Sequence, residues 1–427
     1  MSQKQTIYVE PSTHNNSRTE FDIPNYQGRN YRLVGMGLTN YVMSGGGLAR
    51  YFPSACGALV LMDTITLYNG TELLGQLRNV PQWAGYNLLC DNPAYNYSIN
   101  SIQYQTLISY DPLYKIVMDN VGQYILGNNY NTAYVDLYRL LPFFLGLDLS
   151  SYTEMVKAVK GNDRKKVKQL IKKSSNIRGD VLNLRLVIEY SSNTPNLLFG
   201  NGNIADTYTI KKPSLVFDKM LTDLDTSRSF NMVYDSYDME SVLRIAEAVN
   251  TDVNEDYPLY GCSNKFCSEV TIISAPNISD TIAVGFPTKS FCSTGLWKEN
   301  LNIIVNDLPI IPSNILSTPA RKQMFLNYSK PNFTTPILGN IFYHSADPNN
   351  QLFGAETSFA AQCQGLYSYI TLSINQKVSI MRLQRNFKAF DYGVHFPAQL
   401  GALNTLIYYT TRRILTYKDG QIMVTSV

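Results

Sequence analysis

Along much of this chain apolar and polar residues alternate with a period of two, the signature of strands that pack on one face. In Asp63-Thr64-Ile65-Thr66-Leu67-Tyr68 the alternation puts Ile65 and Leu67 on one face and Thr64 and Thr66 on the other. Asn69-Gly70 follows as a turn, since both residues tolerate positive φ. Residues 31–43 set Leu33, Leu38 and Val42 among small or polar neighbours. In Tyr367–Ile374, Ile370, Leu372 and Ile374 share a face opposite Tyr367, Tyr369, Thr371 and Ser373. Further strands are predicted over Ala133–Leu141, Val181–Tyr190, Phe230–Tyr234, Val270–Ser274, Thr281–Gly285, Leu301–Asn306, Leu403–Tyr417 and Gln421–Val427. The last two form a hairpin in which Ile414, Leu415 and Tyr417 meet Ile422 and Val424 across Asp419-Gly420.

Helical spacing is rare. Leu73, Leu74, Leu77 and Val80 show it, as do Val242, Leu243, Ala246 and Val249 within Met239–Val249. Asp163 is placed to cap a third helix whose apolar stripe is Val167, Leu170 and Ile171. Strands do not alternate with helices, so a parallel doubly wound sheet is not expected. Many strands with long Asn- and Tyr-rich connections point to an all-β chain built of sandwiches of the jelly-roll or Greek-key type. Residues 191–213, rich in Gly, Asn, Ser and Pro, follow a strong strand and precede a new pattern, which puts a boundary at about 200–225. The expected division is a first domain with an N-terminal arm over 1–210 and a second over 211–427, a length that suits two cores of roughly 200 residues.

Composition sharpens this picture. Only 16% of residues are charged, while 31 are Tyr and 18 are Phe. Tyrosine gives large contact area at small entropic cost and suits contacts with neighbours, but it is also a good strand former. A net charge of +3 does not mark the whole chain as a nucleic-acid binder. The first residues, Met1-Ser2-Gln3-Lys4-Gln5, carry no apolar run of a secretory signal, and the most apolar stretch, Leu140–Leu147, is short and contains Pro142. The cysteines at 56, 90, 262, 267, 292 and 363 are scattered, as reduced thiols of a cytosol-like compartment would be.

Candidate chemistry is sparse. The histidines His14, His344 and His395 fall in neither a His-x-His nor a His-Glu-x-x-His arrangement, and packing or turn roles are expected of them. Cys262 and Cys267 are the closest cysteine pair, but Cys292 alone does not complete a zinc set, so two free thiols are expected. Gly45-Gly46-Gly47 and Gly200-Asn201-Gly202 lack the ending of a phosphate loop. Asp252, Asn254, Glu255 and Asp256 carry oxygens without the spacing of a calcium loop and read as a solvated acidic loop. Sequons at Asn69, Asn96, Asn277, Asn327 and Asn332 read as chance matches in an Asn-rich chain. No catalytic residue, metal ligand or cofactor site is assigned, and an enzyme is not expected.

Residues 151–180 are the most polarised segment. Lys157, Lys160, Arg164, Lys165, Lys166, Lys168, Lys172, Lys173 and Arg178 stand against Glu154, Asp163 and Asp180, a local charge of +6. Such a run is a solvated face or a contact for an acidic partner: nucleic acid, a membrane surface, or an acidic patch on a neighbouring subunit.

The order of segments resembles a known family. Tyr8-Val9-Glu10-Pro11 leads through Phe21-Asp22-Ile23-Pro24 into residues 31–43, then Ile65-Thr66-Leu67-Tyr68-Asn69-Gly70 and Leu140-Leu141-Pro142-Phe143-Phe144. The pattern closes with residues 403–409 and Arg413-Ile414-Leu415-Thr416-Tyr417-Lys418-Asp419-Gly420-Gln421-Ile422-Met423-Val424. This is similar to the double jelly-roll major capsid proteins of double-stranded DNA viruses, the adenovirus hexon and tectivirus lineage, in the compact form carried by virophages, polinton-like elements and adintoviruses. The resemblance implies two eight-stranded antiparallel jelly rolls in tandem, with a few short helices in the connecting loops. It also implies a homotrimer of pseudo-hexagonal outline that tiles an icosahedral shell in the virion. The partners it implies are neighbouring capsomers, penton and minor capsid proteins, with an internal membrane or the genome as further partners of 151–180. The alternative reading is a two-domain β-sandwich that binds glycan or receptor, as a viral spike does; saturable sugar binding at a concave aromatic site would separate it from a lattice protein.

Overall fold

Two long-range pairings close the chain on itself. Lys4–Val9 runs antiparallel to Ser214–Met220, from Lys4↔Met220 to Val9↔Leu215. Phe230–Arg244 runs antiparallel to Ala402–Lys418, from Phe230↔Tyr417 to Arg244↔Leu403. Each half of the chain thus begins and ends on neighbouring strands. Pairings so distant in sequence carry a large loop-closure entropy and must be repaid by the core they enclose. The computed structural model describes residues 4–42, 50–51, 57–81, 83, 115–118, 123–125, 134–160, 163, 165–166, 169–170, 177–192, 206–220, 229–244, 253–277, 299–310, 368–387 and 402–427.

In the first half one sheet runs Lys4–Val9, Ser214–Met220, Gln27–Val34, Tyr134–Asp136, and another runs Thr13–His14, Arg18–Asp22, Leu184–Tyr190, Met62–Asn69, Glu72–Arg78. Their inward residues, among them Phe21, Tyr31, Leu33, Ile65, Leu67, Leu186 and Phe217, fill one core and are at most 2% exposed. Each such side chain contributes about 1.5–3 kcal/mol on burial. A third sheet carries Leu38–Val42 between Thr207–Ile210 and Gln123–Ile125. The strand predicted over 31–43 is therefore two strands. Gly35 separates them at φ +81°, a conformation that side chains with a Cβ avoid.

In the second half Phe230–Arg244, Ala402–Lys418, Lys265–Asn277 and Ser368–Val378 form one sheet, and Val253–Leu259, Met381–Phe387, Glu299–Val305 and Leu308–Pro309 another. Val270, Ile272, Ile303, Val305, Leu372, Leu383, Ile407 and Tyr409 pack between them. Gln421–Ser426 adds to Ala402–Lys418 with Leu415↔Val424 and Tyr417↔Ile422 in register. The turn between them holds Asp419 at φ +52° and Gly420 at φ +78°, the type that matches strand twist. The predicted hairpin is present as drawn.

Several predicted elements differ. Of the helically spaced Leu73, Leu74, Leu77 and Val80, the first three belong to the strand Glu72–Arg78, and only Val80 follows it in helical backbone. Tyr68 pairs with Leu73 and Leu67 with Gly75, so Leu74 is the extra residue of a bulge. The bulge resets the alternation and buries Leu74 and Leu77 on a strand with helix-like spacing. The turn before it centres on Gly70 and Thr71, one residue later than Asn69-Gly70, with Gly70 at φ +58°. Met239–Val249 is strand through Arg244, because fifteen consecutive register pairs with the Ala402–Lys418 strand outweigh local propensity; residues 245–249 lie outside the described residues.

Ala133–Leu141 is strand only over Tyr134–Asp136, followed by 3₁₀ turns at Leu137–Arg139 and Pro142–Leu145 that bury Leu137, Phe143 and Phe144. Asp252 and the strand predicted at Thr281–Gly285 lie outside the described residues. Asn254, Glu255 and Asp256 belong to the strand Val253–Leu259 and not to a loop; Asp256 accepts from Arg382 Nε at 3.1 Å and Gln384 at 3.3 Å.

Candidate assembly surfaces

The two halves meet where Glu72–Arg78 and residues 141–147 press on Phe230–Arg244 and Ala402–Lys418. The carbonyls of Leu73, Leu74, Arg78 and Asn79 accept from side chains of the second half. The Tyr234 hydroxyl donates to the Leu74 carbonyl at 3.2 Å, and the Tyr408 hydroxyl to those of Arg78 and Asn79 at 3.2 and 3.3 Å. The Trp83 ring lies tilted 4.4 Å from Tyr237 and 4.8 Å from Tyr408, and Phe143 meets Tyr234 edge-on at 5.1 Å. Leu147 and Val233 exchange backbone hydrogen bonds at 3.1 and 2.8 Å. Gly146 passes so close to Met232 that an added Cβ would overlap its Sδ and Cγ. Gly146→Ala is therefore expected to loosen the junction by about 1–3 kcal/mol, read as a lower denaturant midpoint.

A cleft of about 350 Å³ lies in this junction, lined by Gln76, Arg78, Asp238, Glu240, Lys265 and Arg413 among others. Its carboxylates are occupied from within. Asp238 takes Lys265 at 2.8 Å, Arg413 at 3.3 Å and the Thr411 hydroxyl at 3.1 Å. Glu240 takes the Tyr409 hydroxyl at 2.8 Å and the Tyr260 amide at 2.9 Å. These ion pairs lie within the second half and hold Arg413 in place, whose guanidinium reaches across to the Leu73 and Leu74 carbonyls at 3.4 and 3.5 Å. Part of the tyrosine content serves the interior, where Tyr31, Tyr152, Tyr190, Tyr234, Tyr408 and Tyr409 are buried, whereas Tyr8 and Tyr260 are 70% and 71% exposed.

Among the described residues, several exposed apolar groups lie on edge strands or at one tip of the second half. Tyr8 and Met423 lie on Lys4–Val9 and Gln421–Ser426, each paired with a single strand among the described residues. Tyr260, Leu308 and Ile380 lie at one end of the second half, where short turns are tied together. There the Asn264 amide donates to Val378 at 2.7 Å, and Asn306 Oδ1 accepts the Ser379 amide at 2.7 Å while its Nδ2 donates to Lys377 at 2.9 Å. Fixed turns present these side chains without an ordering penalty on contact.

The basic segment resolves into parts. Leu149–Lys160 is a helix that the sequence reading did not anticipate. Its start was legible in Asp148, whose carboxylate accepts the Ser151 amide and hydroxyl, both at 2.9 Å. Its apolar side was legible in the three-residue spacing of Tyr152, Met155 and Ala158, all buried against Leu147 and Val233. Lys157, Lys165 and Lys166 are exposed. Asp163 accepts the Lys166 amide at 2.9 Å, the expected cap, and Leu170 is buried; Val167 and Ile171 lie outside the described residues. Arg178 is withdrawn from the basic run by a bidentate pair with Asp180, at 2.8 Å for the nearest contact.

The remaining residues singled out from sequence take local roles. His14 Nε2 faces the Ile210 carbonyl at 2.9 Å and so carries the proton; Nδ1 then accepts from Thr19 at 2.8 Å, and Thr19 accepts from Tyr190 at 2.7 Å. This chain of bonds joins Thr13–His14 and Leu184–Tyr190 to Thr207–Ile210. Cys262 and Cys267 are free and fully buried beside Met381. The neighbouring Cys262 and burial push the Cys267 thiol far above the usual range, away from the thiolate a metal would need. Asn69 accepts the Asn183 amide at 2.9 Å next to its turn. His344, His395, the loops at 45–47 and 200–202, and Asn96, Asn327 and Asn332 lie outside the described residues. Among the described residues His, Cys, Asp and Glu form no cluster of three that would hold a metal ion.

Comparison with known proteins places the fold. Neither a protein-family model nor a curated protein matches the chain. Solved structures do. PBCV-1 VP54, fitted into a cryo-EM reconstruction of the virophage Sputnik, superposes with a TM-score of 0.55 at 11% identity, over 100% of this chain and 98% of that one. A chain of the PBCV-1 virus capsid gives 0.52 at 10% identity over 100% and 98%. A chain of the Sputnik virophage gives 0.53 at 10% over 99% and 88%. The architecture is that of the double jelly-roll capsid structures: two antiparallel sandwiches in tandem, as the sequence led one to expect.

Proposed function

We propose that this chain is a major capsid protein whose trimers form pseudo-hexagonal capsomers and tile an icosahedral viral shell. The observation that carries the reading is an end-to-end double jelly roll: the likeness to a chain of the PBCV-1 virus capsid covers 100% of this chain and 98% of that one. A tile needs two sandwiches fixed rigidly to each other, and the junction of Tyr234, Tyr408, Trp83 and Arg413 supports that requirement. Its work is structural, not catalytic, and its place is the virion. We draw the division between the two jelly rolls between Met220 and Phe230, not at the 210/211 boundary expected from sequence, because Ser214–Met220 pairs with Lys4–Val9 and Gln27–Val34 of the first half. The fixed tip at Tyr260, Leu308 and Ile380 and the edges bearing Tyr8 and Met423 are the surfaces assigned to neighbouring copies and to penton and minor capsid proteins. Light scattering across a wide concentration range tests the trimer: the expected mass is three times the 48.2 kDa of one chain, and a monomer mass throughout would overturn it.

The exposed lysines of 151–180 are assigned to an acidic neighbour in the particle, an inner membrane or the genome. Replacing Lys165, Lys166, Lys172 and Lys173 by Gln is expected to leave trimer stability within about 0.5 kcal/mol. The same change is expected to weaken particle assembly or flatten its salt dependence. Normal assembly of the variant at every ionic strength would return the segment to a solvated face.

A further inference from the structure

The helix Leu149–Lys160 belongs to the first half but seats on the second, and one cluster of polar groups holds it there. The Tyr152 hydroxyl donates a short hydrogen bond to Asp235 on Phe230–Arg244. Directly across the ladder from Asp235 is Arg412, whose guanidinium lies between two rings, 4.5 Å from Tyr152 and 4.3 Å from Phe266. Glu269, on the adjacent strand Lys265–Asn277, brings a second carboxylate to the same site. Tyr152, Met155, Ala158 and Leu170 supply the apolar part of the seat against Leu147 and Val233. The exposed Lys157 is carried on this helix, with Lys165 and Lys166 just beyond it.

We infer that Tyr152, Asp235 and Arg412, with Glu269, form a proton-operated latch that sets how firmly the basic helix is held on the second jelly roll. Two carboxyl groups and one guanidinium lie close together where the helix partly covers Asp235, so the charge there is unbalanced when both acids are ionised. Burial raises the Asp235 carboxyl to about 6; the Tyr152 hydrogen bond and Arg412 pull the other way, and Glu269 adds to the rise. If the helix lifts, Asp235 loses its cover and the Tyr152 ring beside it, and its carboxyl returns to the ordinary range near 4. The seated state therefore binds the proton more tightly than the lifted state. The extra hold is full below about pH 4 and is lost as pH rises through about 6, a change of up to about a hundredfold in the seating equilibrium. Mild acid tightens the seat of the helix, and neutral pH relaxes it. The inference stands on the single chain and does not depend on the capsid reading.

Hydrogen exchange of the purified full-length protein tests it, with amide rates over 152–160 corrected for the intrinsic pH dependence and followed from pH 4 to 8. Protection of this helix is expected to rise as pH falls below about 7, with no parallel change over Leu184–Tyr190. Asp235→Asn, a neutral isostere that still accepts from Tyr152, is expected to give high and pH-independent protection. Glu269→Gln removes a like charge and is expected to move the wild-type midpoint to lower pH, a shift that a purely structural role for the cluster would not produce. Flat wild-type protection, or an unchanged midpoint in Glu269→Gln, overturns the latch. Should Asp235→Asn fail to fold, the Glu269→Gln midpoint alone decides.

Discussion

Deleting residues 418–427 is expected to yield insoluble protein. The deletion removes Gln421–Ser426 and leaves the end of the Ala402–Lys418 strand unpaired on one side, from Arg413 to Tyr417. It also strips Ile422 and Val424 from a core that they partly cover and bares Leu415, which is fully buried in the intact chain. A long unpaired edge beside newly exposed apolar groups templates association with other chains. Solubility after expression and the cooperativity of urea unfolding provide the check. A soluble truncation that unfolds in one sharp step would show that the last strand is dispensable to the second jelly roll.

The second large effect is expected at Tyr408. Its side chain is 1% exposed, its ring meets Trp83, and its hydroxyl reaches the Arg78 and Asn79 carbonyls of the other half. Tyr408→Ala should lower stability by about 3–5 kcal/mol through lost burial and an unfilled cavity. Tyr408→Phe, which keeps the ring, should lose only about 1 kcal/mol. Denaturant unfolding of both variants measures the difference, and the larger loss should appear as earlier separation of the two halves. Equal stability of Tyr408→Ala and the parent chain would mean that the junction is held elsewhere.

These two sites also mark how far the sequence could be read. The hairpin at Asp419-Gly420 was legible because everything that specifies it is local: alternation on both sides and two residues that accept positive φ. Leu184–Tyr190 and Ser368–Val378 were legible for the same reason, each with a one-sided apolar pattern. Glu72–Arg78 was not, because the bulge at Leu74 depends on its partner strand and imitates helical spacing. The last third of Phe230–Arg244 was misread because its strand state is imposed by residues more than 150 positions away. The junction was illegible in principle. Tyr234, Tyr408 and Trp83 carry no motif, and their roles exist only once the two sandwiches are side by side. The helix at Leu149–Lys160 was a different kind of miss. Its cap and apolar stripe were present in the sequence, but the run of lysines after it drew the reading toward charge alone.

Imaging of the purified full-length protein by negative-stain electron microscopy tests the capsid assignment most directly. The expected result is three-fold blocks of hexagonal outline that order into sheets or shells as concentration rises. Isolated single chains at every concentration, with no three-fold particle, would contradict it.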